Sequence, residues 1–287
     1  MQSGKAALSW NVQPCSRIPG TAIARLTAPE VLGVLRRIEN RGAGETAARA
    51  KIYCGQAFRY AIATGRGERD PTQDLWGALA PRKTTHHAAI IEPDSIGGLL
   101  RAIDAYKGNI VTKSALRLAP LVFVRPGELR NAEWSEFNLE NGEWHISASR
   151  MKMGQPHLVP LSKQAVAILT DLRPKTKYSH FVFPSVRTSK RPMSDMAILA
   201  ALRRMGFTKE EMSVHGFRAM ARTVLDEVLG FRPDYIEHQL AHAVRDPNGR
   251  AYNRTTHLPQ RREMMQRWAD YLDQLRYGAA IVPLRAA

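Results

Sequence analysis

The sequence predicts a mainly helical protein of two domains, with a small antiparallel β-sheet in the second. Three observations predict this fold. The chain has 287 residues, which is more than one hydrophobic core commonly needs. Apolar residues repeat at helical spacing over most of its length, and the repeat changes to a strand pattern only around 143–161. The stretch from Pro81 to Pro93 has no sustained amphipathic repeat and divides the helical patterns into two groups.

The first domain is expected to be helical over 21–85, after an irregular lead-in over 1–20. Thr27-Ala28-Pro29-Glu30 has the form of a capping box, in which side-chain oxygens satisfy the first backbone N–H groups of a helix. Apolar residues then repeat at helical spacing until Gly42. A second helix is predicted from about Thr46 to Ala63, with basic side chains on its outer faces. These cations fit either a DNA-clamping module or an ordinary solvated surface.

A linker is predicted over 86–93 and the second domain over 94–275. The second domain is expected to begin with helices. Asp94 or Ser95 is expected to cap the first of these helices, and Thr112 to open the next.

The middle of the second domain changes from a helical to a strand pattern. Residues 143–147 and 157–161 are predicted strands, with a turn over 152–155 between them, and together they predict the small antiparallel sheet. Helical patterns return from Ser194 onward. Residues 276–287 form a C-terminal tail in this prediction.

The net charge points to a polyanionic partner. The formal charge is +16, and it is spread over both domains: residues 1–90 hold 13 Lys/Arg against 6 Asp/Glu, and residues 91–287 hold 29 against 20. A surface of this kind attracts polyanions, of which nucleic acid is the commonest. Two basic domains therefore predict a protein that grips DNA from two sides.

Cysteine usage and hydropathy indicate a cytoplasmic protein. Cys15 and Cys54 are too few for a disulfide framework and lack zinc-site spacing. The sequence has no apolar run long enough to span a membrane and no secretory signal. We expect no membrane partner, no cofactor and no metal.

Arginines in the second domain suit chemistry on a phosphodiester. A metal-free enzyme must neutralise the nonbridging oxygens with fixed cations, and arginine does so with two parallel hydrogen bonds. Arg125 precedes Pro126, which favours the first position of a helix, so its guanidinium is expected at a helix N-terminus, steadied by Glu128. His215 and Arg218 are three residues apart, and on a helix both can contact one phosphate.

Three further side chains complete the set of candidates. Lys152 lies in the predicted hairpin turn, from which a long cationic side chain can reach the phosphate. Arg150 is the second choice for this cation. Tyr252 follows His242 by ten residues, and a phenol needs neighbouring cations or a base to act as a nucleophile near neutral pH.

His238 and His242 leave an alternative open. Four residues apart on a predicted helix, they have the spacing of two zinc ligands. Gln239 stands where a metalloprotease has its glutamate base, and the sequence offers no obvious third ligand. A zinc hydrolase is therefore the weaker prediction, and a structural role is expected for His238.

The order of these residues resembles the tyrosine recombinases, and specifically the prophage-type integrases, over about residues 26–275. The segments that carry the resemblance are Val124–Leu129, Met151-Lys152, His215-Gly216-Phe217-Arg218, Leu240-Ala241-His242 and Ala251-Tyr252. One departure is Ala241, where the family commonly has glycine. The resemblance implies a core-binding helical domain, a tyrosine recombinase-type catalytic domain, and a catalytic set of Arg125, Lys152, His215, Arg218, His242 and Tyr252.

The resemblance also implies a mechanism. Tyr252 would be the nucleophile that forms a 3′-phosphotyrosyl link, and Lys152 the general acid for the departing 5′ oxygen. The two domains would close around double-stranded DNA, and four copies would assemble on two attachment sites. An excision factor and a DNA-bending host protein are possible further partners.

Prophage integrases of this kind carry a further N-terminal domain that binds arm-type DNA sites, whereas this sequence begins almost at the core-binding module. The alternative expectation is therefore a remnant that binds recombination sites without productive recombination.

Overall fold

The computed structural model describes residues 22–81, 87–151, 154–242 and 257–278. The chain divides into two compact units, Met1–Thr85 and His86–Ala287. Both are mainly helical, and the second also contains small antiparallel sheets, which confirms the predicted fold class.

The first unit is built on two helices, α1 (Ala28–Asn40) and α2 (Gly44–Ala63), flanked by short 3-10 helices at Ile23–Arg25 and Pro71–Leu75. The predicted capping box is confirmed, since the carboxylate of Glu30 accepts hydrogen bonds from the backbone N–H and the hydroxyl of Thr27, both at 2.8 Å. Helix α2 begins two residues before the predicted start. The core of this unit consists of Val31, Leu35, Phe58 and Leu75.

The second unit contains eight helices within the described ranges. They are α3 (Pro93–Ala105), α4 (Ile110–Val122), α5 (Pro126–Arg130), α6 (Lys163–Thr176), α7 (Ala197–Arg204), α8 (Gly216–Glu227), α9 (Pro233–Gln239) and α10 (Leu258–Tyr277). The predicted N-terminal residues of α3 and α4 were wrong. Helix α3 begins at Pro93 after Glu92, because proline suits the first helical position, and the Asn109 side chain caps α4 by accepting from the N–H of Val111 at 2.8 Å.

The described residues of the second unit form two small antiparallel sheets. The first has strands β1 (Phe137–Asn138), β2 (Glu143–Ile146) and β3 (His157–Pro160) in that order, so the two predicted strands are confirmed at nearly their predicted bounds. Ten residues connect β2 to β3, one more than the predicted strand bounds leave, and they include a 3-10 helix at Ala148–Arg150. Lys152 and Met153 of the predicted turn lie outside the described residues. The second sheet pairs β4 (Pro184–Ser185) with β5 (Thr188–Pro192) and was not predicted.

Helix α10 packs along α3 and holds the end of α4. The indole N–H of Trp268 donates to the carbonyl of Pro120 at 2.8 Å, and its ring meets Phe123 edge-on at 6.3 Å between centroids. Phe123 ends α4 in the left-handed conformation, with a φ of 36°. This packing fixes the point where the chain leaves α4, two residues before Arg125.

No helix in the described ranges is long and apolar enough to cross a lipid bilayer.

Two adjacent glycines of α3 provide a test of its packing on α10. A Cβ on Gly97 would lie 2.4 Å from the carbonyl oxygen of Leu275, whereas a Cβ on Gly98 would meet nothing within 4 Å. We expect Gly97→Ala to lower the free energy of unfolding by about 1–3 kcal/mol through overpacking. Gly98→Ala, the matched control, should raise it by about 0.5–1 kcal/mol because alanine favours the helix. Urea denaturation measures both, and equal stability of the two variants would contradict this close approach.

Candidate active site

Arg125 lies at the N-terminus of α5, as predicted. Its Nη1 donates to Oε1 of Glu128 at 2.8 Å, and its backbone N–H donates to Oε2 of the same carboxylate at 2.9 Å. Pro126 occupies the first helical position, where the missing N–H is not needed. The Nη2 of Arg125 donates to the carbonyl of Ala241 at 3.1 Å. Glu128 therefore holds both the backbone and the side chain of Arg125, and the predicted role of Glu128 is confirmed.

Arg218 lies in the first turn of α8, and only 4% of it is exposed. Its Nη1 donates to the carbonyl of Phe123 at 2.9 Å, and its Nη2 donates to the carbonyl of Leu240 at 2.8 Å. Burial, followed by the charge of Arg125, lowers the pKa of Arg218 to about 10. The guanidinium therefore remains charged at neutral pH.

The turn after α9 presents consecutive carbonyls to the two arginines. The N–H of His242 donates to the carbonyl of Glu237 at 3.0 Å, the N–H of Ala241 donates to that of His238 at 3.1 Å, and Ala241 has a φ of 50°. This hydrogen-bond pattern is a Schellman motif, in which the left-handed residue is usually glycine. Because the helix ends here, the carbonyls of Leu240 and Ala241 face the guanidinium groups. The prediction that the helix continues to His242 was wrong.

His242 bridges the turn to Arg218. Its Nδ1 lies 2.5 Å from Oε2 of Glu237, and its Nε2 lies 3.1 Å from Nη2 of Arg218. Burial raises the pKa of Glu237, but the hydrogen bonds from His242 and Arg222 outweigh it, so the pKa lies below its ordinary value. An ionised carboxylate and an arginine therefore contact the two ring nitrogens of one histidine.

His215 occupies the N-cap position of α8, three residues before Arg218. Burial, then the charges of His87, Arg218, Arg125 and His242 in that order, lower the pKa of His215 to about 4. The ring is therefore neutral at pH 7. The predicted proximity of His215 and Arg218 at one helix end is confirmed.

The backbone around His215 explains its neighbours in the sequence. Ser213 accepts a hydrogen bond from the N–H of Gly216 at 3.0 Å and donates its hydroxyl proton to the carbonyl of Ala88 at 3.1 Å. A Cβ on Gly216 would lie 2.3 Å from that carbonyl, so the close approach requires glycine. The same segment brings the ring of His87 to 4.4 Å from that of His215, between centroids. His87 was not identified from the sequence, because it lies far from His215 along the chain.

Two of the six predicted catalytic residues, Lys152 and Tyr252, lie outside the described residues. Arg150, the second choice for the role of Lys152, forms an ion pair with Glu136 and donates from Nη2 to the carbonyl of Glu128 at 3.0 Å. Arg150 thus contacts α5 through the backbone of Glu128, the residue that holds Arg125. The structure brings together the other four residues: Arg125, His215, Arg218 and His242.

Two buried residues that the sequence did not single out support the turn from the side of the sheet and α10. His157 of β3 lies 3.1 Å from the carbonyl of Gln239 through its Nε2. Arg261 of α10 donates to the side-chain oxygen of Gln239 at 2.7 Å and to the carbonyl of Leu158 at 2.6 Å. Only 2% of Arg261 is exposed. Strand β3 and helix α10 thereby fix the last residue of α9.

The described contacts of His238 differ from those of His242. His242 contacts Glu237 and Arg218, whereas the ring of His238 lies 5.6 Å from that of His257. The described residues contain no cluster of three or more His, Cys, Asp or Glu side chains that could hold a metal ion. The cluster of two arginines and two histidines instead has the composition of an oxyanion site. Each guanidinium has five N–H donors, and the described contacts use two of those of Arg125 and three of those of Arg218.

Comparison with known proteins identifies the family. Residues 9–78 match the phage integrase central domain, and residues 90–257 match the phage integrase family. The chain belongs to the phage integrase family. It is 36% identical over 274 residues to the integrase of Enterobacteria phage P4, covering 90% of this chain and 62% of that protein.

Other relatives are similar to a comparable degree. The integrase of Shigella phage Sf6 is 37% identical over 258 residues, covering 90% of this chain and 66% of that protein. Prophage integrase IntZ of Escherichia coli (strain K12) is 38% identical over 274 residues, covering 96% and 66%. The chain therefore spans slightly less than two thirds of the length of the curated relatives it matches.

Solved structures share the fold at low identity. A lambda integrase dimer (residues 75–356 of that protein) bound to a COC′ core site superposes with a TM-score of 0.61 at 19% identity, covering 82% of this chain and 85% of that one. The Tn1549 transposon integrase in complex with transposon right end DNA gives 0.58 at 13% identity, covering 79% and 81%.

The left-handed conformation of Ala241 predicts a stabilising substitution. An L-residue pays about 1–2 kcal/mol for this conformation, and glycine does not. The greater freedom of glycine in the unfolded chain offsets part of this gain. We therefore expect Ala241→Gly to raise the free energy of unfolding by about 0.5–1 kcal/mol. Ala241→Val, with a β-branched side chain at the same φ, should lower it. Urea denaturation measures both, and a less stable glycine variant would contradict the φ of 50°.

The buried ring of His157 predicts acid sensitivity. Burial, then the charge of Arg261, lowers the pKa of His157 to about 3, from 6.5 for an exposed ring. Between these values the folded protein binds fewer protons than the unfolded chain, so stability is full above pH 6.5 and falls as the pH falls. The loss from this residue is about 2 kcal/mol at pH 5.

His157→Gln, whose amide can donate to the same carbonyl, should remove this part of the pH dependence. Urea unfolding at pH 7 and pH 5, followed by tryptophan fluorescence, compares the variant with the unaltered protein. An equal loss of stability in both proteins would exclude His157 as the source.

Proposed function

We propose that the chain is a site-specific DNA recombinase that cleaves and rejoins DNA strands through a covalent 3′-phosphotyrosyl intermediate. The observation that carries the proposal is the pair of guanidinium groups of Arg125 and Arg218, which contact consecutive carbonyls of one turn, with His215 and His242 beside them. Preorganised cations of this kind stabilise the charge that develops on a phosphate during displacement.

The proposed step balances without an external energy source. The phenolic oxygen of Tyr252 attacks phosphorus, and the bond from phosphorus to the 5′ oxygen breaks. The neutral ring of His215 accepts the phenol proton, and Lys152 gives a proton to the 5′ oxygen. The ester to tyrosine retains the bond energy, so a 5′ hydroxyl from a partner strand reverses the step. The roles of Tyr252 and Lys152 rest on their positions in the sequence.

The proposed substrate is double-stranded DNA at attachment sites. The net charge of +16 favours this partner, and the salt dependence of binding should reflect the phosphates that lysine and arginine contact. We place the core-type DNA-binding function in residues 21–85 and catalysis in residues 94–275. By analogy with a lambda integrase tetramer bound to a Holliday junction, we infer a homotetramer on DNA. An excision factor or DNA-bending host protein would act on this assembly, at the nucleoid.

Covalent trapping tests the proposal. The protein is incubated with a nicked suicide duplex from the attachment region next to its gene, denatured, and examined for a protein–DNA adduct. We expect an adduct that forms in EDTA and maps to a 3′ phosphate. Tyr252→Phe should abolish it because the nucleophile is lost. Tyr277→Phe is the matched control, since Tyr277 is 77% exposed and should tolerate the change with its adduct intact.

Two outcomes would contradict the proposal. An adduct that persists in Tyr252→Phe would assign the nucleophile elsewhere. Salt-sensitive DNA binding without any adduct would favour a DNA-binding remnant of an integrase.

A further inference from the structure

Three contacts join four side chains, Arg222, Glu237, His242 and Arg218, in a row from the surface to the candidate site. Arg222 of α8 donates from Nε to Oε1 of Glu237 at 2.9 Å. Oε2 of Glu237 lies 2.5 Å from Nδ1 of His242, and Nε2 of His242 lies 3.1 Å from Nη2 of Arg218. Arg218 and Arg222 are four residues apart on α8, so they share one side of that helix. The series begins and ends on α8.

The partners of His242 determine the position of its proton. An ionised carboxylate only accepts hydrogen bonds, so the hydrogen lies on Nδ1, facing Glu237. An arginine only donates, so Nε2 presents its lone pair to Arg218. This tautomer follows from the chemistry of the two neighbours, and Glu237 is the residue that selects it.

A bound phosphate would change the hydrogen bonds of His242. Its oxygens compete with Nε2 of His242 for the N–H groups of Arg218, because a phosphate is a stronger acceptor for a guanidinium. The ring can then donate from Nε2 to the phosphate only after it takes up a proton from solvent. The resulting imidazolium would carry a positive charge beside two arginines, and the negative charge on Glu237 offsets it.

We propose that Glu237 is a positioning residue for DNA cleavage, which sets the tautomer of His242 and supports its protonated form when the scissile phosphate binds, and that Arg222 holds Glu237 in place. This inference rests on the proposed function. Glu237 touches neither the DNA nor the reacting atoms in this mechanism. It acts through His242, as a carboxylate acts through a metal-bound or catalytic histidine.

The exposure of these groups suits such a role. The side chain of Glu237 is 25% exposed, that of His242 is 44% exposed and that of Arg222 is 53% exposed. Solvent can therefore supply the proton to His242. Among the described residues, the charged and titratable groups near the ring include Glu237 of α9, Arg218 and Arg222 of α8, His215 at the start of α8, and Arg125 at the start of α5.

The first test measures the proton position directly. Nitrogen-15 NMR of histidine-labelled protein, with the His242 signals assigned by their loss in His242→Asn, distinguishes the two tautomers without DNA. We expect hydrogen on Nδ1 in the unaltered protein. In Glu237→Ala the population should shift to hydrogen on Nε2, the form that imidazole prefers when no partner selects otherwise. A proton on Nε2 in the unaltered protein would overturn the proposal.

The second test measures cleavage with the suicide duplex. We expect Glu237→Gln, which keeps the shape and removes the charge, to slow adduct formation about 10–100-fold, a loss typical of residues that orient a functional histidine. DNA affinity should change less than about threefold, because the contacts to the phosphates remain. Arg222→Lys should retain more activity than Arg222→Gln.

Glu227→Gln is the matched control, because it removes one carboxylate charge from the exposed C-terminal end of α8. It should leave the rate unchanged. Cleavage by Glu237→Gln within twofold of the unaltered protein would overturn the proposal. If the unaltered protein forms no adduct, the proposed function fails, and the NMR measurement still decides whether Glu237 sets the tautomer.

Discussion

Burial of the Arg218 guanidinium is the constraint on which the rest of the site depends. A charged group that is only 4% exposed must be hydrogen-bonded, or the cost of removing it from water would prevent folding. Two of its three hydrogen-bond partners are the carbonyls of Phe123 and Leu240, and the third is Nε2 of His242. The last carbonyls of a helix have no partner within it, so the ends of α4 and α9 at these residues leave two acceptors for the guanidinium. The left-handed conformations of Phe123 and Ala241 are the local consequence.

The same arrangement leaves the second unit with an excess of positive charge that an anion would relieve. Arg125 lowers the pKa of Arg218, and both arginines contribute to the low pKa values of His157 and His215. Each lowered pKa means that the folded protein disfavours the charged form of that side chain. A phosphate between the guanidinium groups reverses the sign of the interaction. Gathering these cations therefore costs stability in the protein unless an anion is bound between them.

The sequence predicted features that depend on near neighbours. The start of α5 follows from Pro126, and the pairing of Arg125 with Glu128 spans three residues. Distant contacts left no such pattern, which is why the approach of His87 to His215 and the anchoring of Gln239 by Arg261 were not predicted. The strands β1 and β4 have two residues each, too few to show alternation. The end of α9 was missed because Ala241 stands where a glycine would have indicated the left-handed turn.

Helix α9 contacts two histidines, His242 and His257, that lie fifteen residues apart in the sequence. At one end His242 contacts Glu237, and at the other end Nε2 of His257 lies 3.6 Å from Asp234. A seven-residue helix is about 10 Å long. Helix α9 therefore separates the start of α10 from the turn that contacts Arg125 and Arg218 by about this length.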